Sequence, residues 1–285
     1  MERSVVELPS GTTVSFLHGG LAEGSVVVLL HGGGVDHGLL SWGAAAPALI
    51  EAGYRVLIPD HPGYGESPMP EFAVTMVNLT DYLIEFINEL GLSEIALVGV
   101  SMGGAMALSY TLAASDDVRS LVLVGSYGLQ DKSPAHLLSF VLVRIPGLMW
   151  LQQRLITSSR WLLRRSVRQI IRHDASVTPA LLDEVAAAAR HPSSQRAFAQ
   201  FQRDEIRLKG VRTNLTARLG EIGQPTLLVH GSRDIGVPVA AAGRAAQRLP
   251  DARLVVIEGA GHWTQRDVPE EFADLLLAHL AGARR

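Results

Sequence analysis

The chain has no cysteine, only two lysines (Lys132 and Lys209) among its 25 basic residues, and no apolar run long enough to span a bilayer. Each absence excludes something. Without cysteine there is no disulfide, no thiolate nucleophile and no sulfur-ligated metal. A formal net charge of −3 gives no general argument for nucleic acid as a partner. The opening "MERSVVELPSG" is charged and then turn-forming, unlike a secretory leader, so a soluble, cytoplasmic protein is expected. What is present is 285 residues, 47% hydrophobic and 19% charged, enough for one large domain with a sizeable core.

The first thirty residues read as three strands, "RSVVEL", "TTVSFL" and "SVVVLL", with a Pro9-Ser10-Gly11 turn making a hairpin of the first two. Strands then alternate with helices: "YRVLIPD", the amphipathic "MVNLTDYLIEFINELGL", "EIALVGV", a helix from Ser101 to Ala114, and "VRSLVLVGS". These strands are continuous apolar runs, as expected where helices cover both faces of a mostly parallel sheet. From about 127 to 218 only helical patterns occur. "PTLLVHG" and "ARLVVIEG" then restore two strands, expected to be buried, with helices near 239–249 and 268–281. The organisation is an α/β core over 1–125 and 219–285, interrupted by a helical cap over 126–218. The cap segment holds 15 basic and 6 acidic residues, net +9, which leaves −12 on the rest.

In an open parallel sheet, ligands bind beyond the carboxyl ends of the strands. Four such ends carry chemistry. His31-Gly32-Gly33-Gly34 follows "VVVLL", and its glycines let backbone N–H groups come close to a ligand. Ser101 stands in Gly99-Val100-Ser101-Met102-Gly103, where small residues two before and two after permit a sharp strand-to-helix turn that lifts the hydroxyl. Asp234 follows "PTLLVHGSR", and His262 follows "ARLVVIEGAG". Nucleophile, acid and base thus come in the order Ser…Asp…His, each after its own strand. Asp36 and His37 lie just past the glycine loop, as a loop tip or a polar substrate contact; His61 and His230 read as structural.

With "HGGG", "DHPGYGES", "GVSMGG", "GSRDIGVP" and "GAGHW", the chain resembles the α/β-hydrolase superfamily with a helical cap. The resemblance implies Ser101 as nucleophile, His262 as base and Asp234 as the acid that orients it. The backbone N–H groups of Met102 and Gly33 would form the oxyanion hole. It implies no metal and no organic cofactor, and a small-molecule acyl substrate. "LTARLGEI" and "GHWTQRDVPEEF" are further similar to hydrolases that cleave a carbon–carbon bond of aromatic ring-fission products. The chain departs from that group at Val100, where asparagine is expected, at Val35-Asp36-His37, where Pro-Gly is expected, and near Val185, where a cap arginine is expected. The reading placed first is therefore an ester, thioester or lactone hydrolase, with the carbon–carbon hydrolase, or a non-catalytic binding protein of the same fold, as alternatives. Gly34, Trp263, Phe140, Trp150 and Trp161 are candidate substrate contacts. The basic, apolar cap is read as a packed lid, a substrate-attracting lid or a membrane-contacting surface. Oligomeric state is left open, a homodimer being one option.

Overall fold

The computed structural model describes residues 1–283, so the last two residues of the 219–285 segment lie outside the described residues. Eight strands form one sheet: β1 (Glu2–Glu7), β2 (Thr13–Gly19), β3 (Val26–Leu30), β4 (Arg55–Pro59), β5 (Ile95–Val100), β6 (Val118–Val124), β7 (Thr226–Gly231) and β8 (Ala252–Ile257), in the order β1-β2-β4-β3-β5-β6-β7-β8. β1–β2 and β2–β4 pair antiparallel and every later pair is parallel. β5 and β7 are buried along their whole length, as their unbroken apolar sequences require. β8 differs from expectation. It is the edge strand, and only Ile257 in it is buried, because no ninth strand covers its far side.

Among the described residues twelve α-helices accompany the sheet: α1 (Gly38–Trp42), α2 (Ala46–Glu51), α3 (Met76–Glu89), α4 (Met102–Ala113), α5 (His136–Leu142), α6 (Leu148–Thr157), α7 (Arg160–Ile170), α8 (Pro179–Ala189), α9 (Pro192–Glu205), α10 (Val239–Ala246), α11 (Thr264–Asp267) and α12 (Pro269–Gly282). α3 illustrates the local logic. The Thr75 hydroxyl accepts from the Asn78 N–H and starts the helix, and Leu79, Leu83 and Phe86 recur on one buried face. Burying each such side chain contributes roughly 1.5–3 kcal/mol. Helices on the two faces of the sheet build two apolar clusters, one around Leu97, Leu121 and Phe86, the other around Val98, Val122 and Phe272.

α5 to α9 stand between β6 and β7. Their inner residues are shared with the core: Phe201 and Ala197 of α9 join the first cluster, Leu163, Val167 and Leu181 the second. The sheet's carboxyl ends therefore open beneath these helices.

Candidate active site

The turn after β5 is forced by contact. A Cβ on Gly99 would sit 2.2 Å from the Gly103 carbonyl oxygen, and one on Gly103 would sit 2.4 Å from that of Leu30. A Cβ on Gly104 would meet the Ser126 Oγ at 2.5 Å, so that glycine serves packing against the end of β6. Between them Ser101 adopts φ 52°, ψ −114°, a conformation an L-residue holds only under strain. The strain is held by backbone bonds: the Ser101 N–H donates to Val124 O at 2.9 Å, and its carbonyl accepts from Gly104, Ala105 and Tyr127. The side chain is left half-buried at the head of α4, where the first N–H groups of a helix have no intrahelical acceptor.

His262 and Asp234 meet at the ends of β8 and β7. The His262 Nδ1–H donates to Asp234 Oδ2 at 2.8 Å, which leaves Nε2 to take a proton. Asp234 Oδ1 accepts from the N–H groups of Gly236 (2.7 Å) and Val237 (3.0 Å). His230 Nε2 donates to Val237 O at 2.9 Å and lies 3.2 Å from Asp234 Oδ2. Burial works against charge on Asp234, but the hydrogen bonds from His230, His262 and Val237 outweigh it and hold the carboxyl well below the usual carboxylate range. Gly125 makes room: with φ 47°, a Cβ there would lie 3.0 Å from Asp234 Oδ2 and 3.1 Å from His262 Nδ1.

The glycine loop is fixed by Asp36 rather than offered to substrate by it. Asp36 is buried. Its Oδ2 accepts from the Gly32 N–H (2.8 Å) and the Ser41 hydroxyl (2.7 Å), its Oδ1 from the His37 N–H. Burial pushes this carboxyl up to about 7 against the opposite pull of those bonds. His37 caps α1 through Leu40. The rings of His31 and His61 lie 3.9 Å apart, tilted by 33°, and burial lowers His31 to about 3 and His61 well below its usual value, so both are neutral supports of the loop, in keeping with a structural role.

Ser101, Met102, Gly32, Gly33, Gly34, His262 and Trp263 all line one cavity of about 610 Å³ between sheet and cap. Gly33 and Gly34 lie against the ring of Phe198 on α9, close enough that a Cβ on Gly33 would be 2.7 Å from it. Phe140, Trp150 and Trp161 do not line this cavity. On α6 the residues turned inward are Met149, Gln152, Gln153 and Ile156; Trp150, one residue out of that phase, faces solvent with Leu151, Arg154 and Leu155. Trp161 is likewise exposed at the start of α7. Phe198, Glu205 and Tyr127 were not foreseen. The Phe198–Phe201 pair, three apart on a cap helix, was the available signal for the first. Glu205 is buried in the cavity wall and accepts from the Tyr127 hydroxyl, the Thr213 hydroxyl and the Thr213 N–H. No Lys or Arg is among the described residues lining the cavity.

Asp267 was also missed. Buried on α11, it accepts from the N–H groups of Gly261, Arg172 and His173, and so ties the His262 loop to the end of α7. The Trp263 N–H donates to Ile170 O across the same seam. Among the described residues no group of three or more His, Cys, Asp or Glu could hold a metal ion, and no helix is long and apolar enough to cross a membrane.

A family model for the alpha/beta hydrolase fold matches residues 25–267. The chain belongs to the α/β-hydrolase family. This α/β hydrolase is 29% identical to a 2-hydroxy-6-oxo-6-phenylhexa-2,4-dienoate hydrolase of Comamonas testosteroni, over 90% of this chain and 88% of that one. It is 30% identical to a 2-hydroxymuconate semialdehyde hydrolase of Pseudomonas putida, over 92% and 89%. A serine hydrolase involved in carbazole degradation superposes with a TM-score of 0.81 at 25% identity, covering 98% of both chains. The α/β-hydrolase resemblance drawn from the motifs holds. The ester-first ordering does not follow from these relatives, whose names favour the alternative placed second.

Proposed function

We propose that this α/β hydrolase is a serine hydrolase in which Ser101 attacks an acyl carbon, His262 takes the serine proton and Asp234 holds the imidazole in the required tautomer. The observation that carries it is the strained Ser101 turn opening into the same cavity as a His262–Asp234 pair joined at 2.8 Å. The N–H groups of Met102 and Gly33 would receive the developing oxyanion; one such donor is typically worth about 3 kcal/mol in the transition state.

The names of the relatives support a carbon–carbon bond of a 2-hydroxy-6-oxo-dienoate as the bond cleaved. The enol hydroxyl proton would first move to the dienoate carbon beside the ketone, leaving a 2-oxo group. Ser101 Oγ would then add to the ketone carbon, and the bond to that protonated carbon would break. Its electron pair would delocalise as a dienolate onto the 2-oxo oxygen, which takes up a proton, and water would release the acyl group from Ser101. One observation favours the second reading, an ester or lactone. The cavity offers amides such as Gln152 and Gln153 but no cation to a substrate carboxylate, and an ester leaves as an alkoxide that needs only a proton.

Fluorophosphonate labelling tests the serine chemistry. One label per chain on the wild type and none on Ser101→Ala is expected; equal labelling of both would sink it. Turnover of 2-hydroxy-6-oxo-6-phenylhexa-2,4-dienoate, followed by loss of its conjugated absorbance, tests the bond. Hydrolysis of p-nitrophenyl esters without any loss of the dienoate would leave the ester reading in its place.

A further inference from the structure

Exposed apolar side chains are not spread evenly over this molecule. Of 17 large hydrophobic residues exposed among the described residues, nine fall between Leu137 and Trp161, on α5, α6, the connection between them (Ile145) and the start of α7. Leu137 and Trp161 are each 66% exposed. The two sides of α6 divide the work: Met149, Gln152 and Ile156 face the cavity, while Trp150, Leu151 and Leu155 face out. A monomeric soluble surface rarely gathers so many apolar side chains in one place without a partner for them.

The charges on this segment are of one sign, although Arg160 and Arg168 are paired with the exposed Asp183 and Asp174 of the following elements. From Lys132 to His173 the sequence holds eight Lys and Arg and no Asp or Glu. Arg154 lies over the Trp150 ring at 5.3 Å and Arg165 over that of Trp161 at 5.8 Å, each placing a guanidinium beside an exposed indole. Beyond Trp161, a cavity of about 450 Å³ is lined by Arg164, Arg165, Arg168, Arg172 and Arg233. Amphipathic helices that lie in a membrane interface combine these features: leucine and tryptophan on one side, arginine at the polar boundary, and attraction to anionic headgroups.

We propose that the outer face of α5, α6 and the start of α7 docks on an anionic membrane surface, with Leu138, Trp150 and Leu155 entering the headgroup–acyl boundary and the arginine-lined cavity taking a phosphate headgroup. A second copy of this chain fits the face poorly, since even with Arg160 and Arg168 paired a symmetric contact would set one cation-rich surface against another. The docking stands whatever bond Ser101 cleaves. It leaves the cavity wall formed by the same helices next to the lipid.

Co-sedimentation of the full chain with vesicles tests this without any substrate. Binding to phosphatidylcholine vesicles containing 30 mol% phosphatidylglycerol, weakened by 0.5 M NaCl and far weaker on phosphatidylcholine alone, is the expected result. Each arginine near an anionic surface contributes a factor of about five. Arg154→Glu with Arg165→Glu should therefore lower affinity by roughly 25-fold or more, and Leu138→Ser with Leu155→Ser should also abolish binding at moderate salt. Both variants should keep the wild-type circular dichroism and fluorophosphonate labelling. No binding of the folded wild type to anionic vesicles at low salt overturns the proposal. So does equal binding by the folded arginine variant, or a dimer in light scattering that the leucine substitutions dissolve.

Discussion

Ser101 holds a backbone conformation that glycine would adopt without strain. Ser101→Gly should therefore do two things at once: abolish fluorophosphonate labelling and raise stability by about 1 kcal/mol, the low end of what a strained residue stores. A melting temperature at or below that of Ser101→Ala would show that the turn stores no strain. Asp234 sets a different expectation. Its carboxyl is held below the usual range in the folded chain and has an ordinary value near 3.8 when unfolded. On acidification the unfolded chain takes the proton first. The stability this group contributes is thus complete above about pH 4 and is lost as pH falls further. The melting-temperature gap between wild type and Asp234→Asn should shrink between pH 7 and pH 3; a constant gap would contradict the assignment. The placement of Ser101, Asp234 and His262 at strand ends could be read from the sequence because each follows a strand whose apolar run is unmistakable. Asp36 could not. Its role depends on burial against Gly32 and Ser41, which nothing in a polar residue beyond a glycine loop announces.

Elements were legible where one face is apolar and obscure where two are. The eight strands and the helices α3, α4, α10 and α12 have simple patterns and occur where the patterns place them, whereas the short α1, α2 and α11 were not read from the sequence. α6 carries apolar residues on both the cavity side and the solvent side, so its sequence cannot say which side Trp150 takes. The ties between elements were also hidden, because they are made to backbone N–H groups. Asp267 is the main case: it joins α11, the His262 loop and the end of α7 through three backbone donors. Asp267→Ala leaves the buried Gly261 donor and the part-buried Arg172 and His173 donors unpaired; a buried loss costs about 1–3 kcal/mol and a part-buried one less. A drop of about 2–4 kcal/mol in chemical denaturation is expected, together with loss of labelling at Ser101 as the His262 loop loosens. Asp267→Asn should recover part of the stability.

At the scale of the whole molecule, cap and core share both apolar clusters, with Phe201 in one and Leu163 and Val167 in the other. The insert should not melt by itself. Calorimetry is expected to give one transition with equal calorimetric and van't Hoff enthalpies; two resolved transitions would show that the cap is a separate cooperative unit. Its charge, net +9 against −12 elsewhere, does set it apart, and that contrast was plain in the sequence while the direction in which the charge faces was not. The contact of Phe198 with Gly33 and Gly34 carries a last consequence. A residue of the insert and a residue of the loop occupy one another's space, so they cannot vary independently. Gly33→Ala alone should impair turnover, since its methyl group meets the ring at 2.7 Å. Phe198→Leu alone should enlarge the cavity. Together they should be better than the product of the two single effects, a thermodynamic coupling that would make accessible substrate size and oxyanion geometry a single inherited trait.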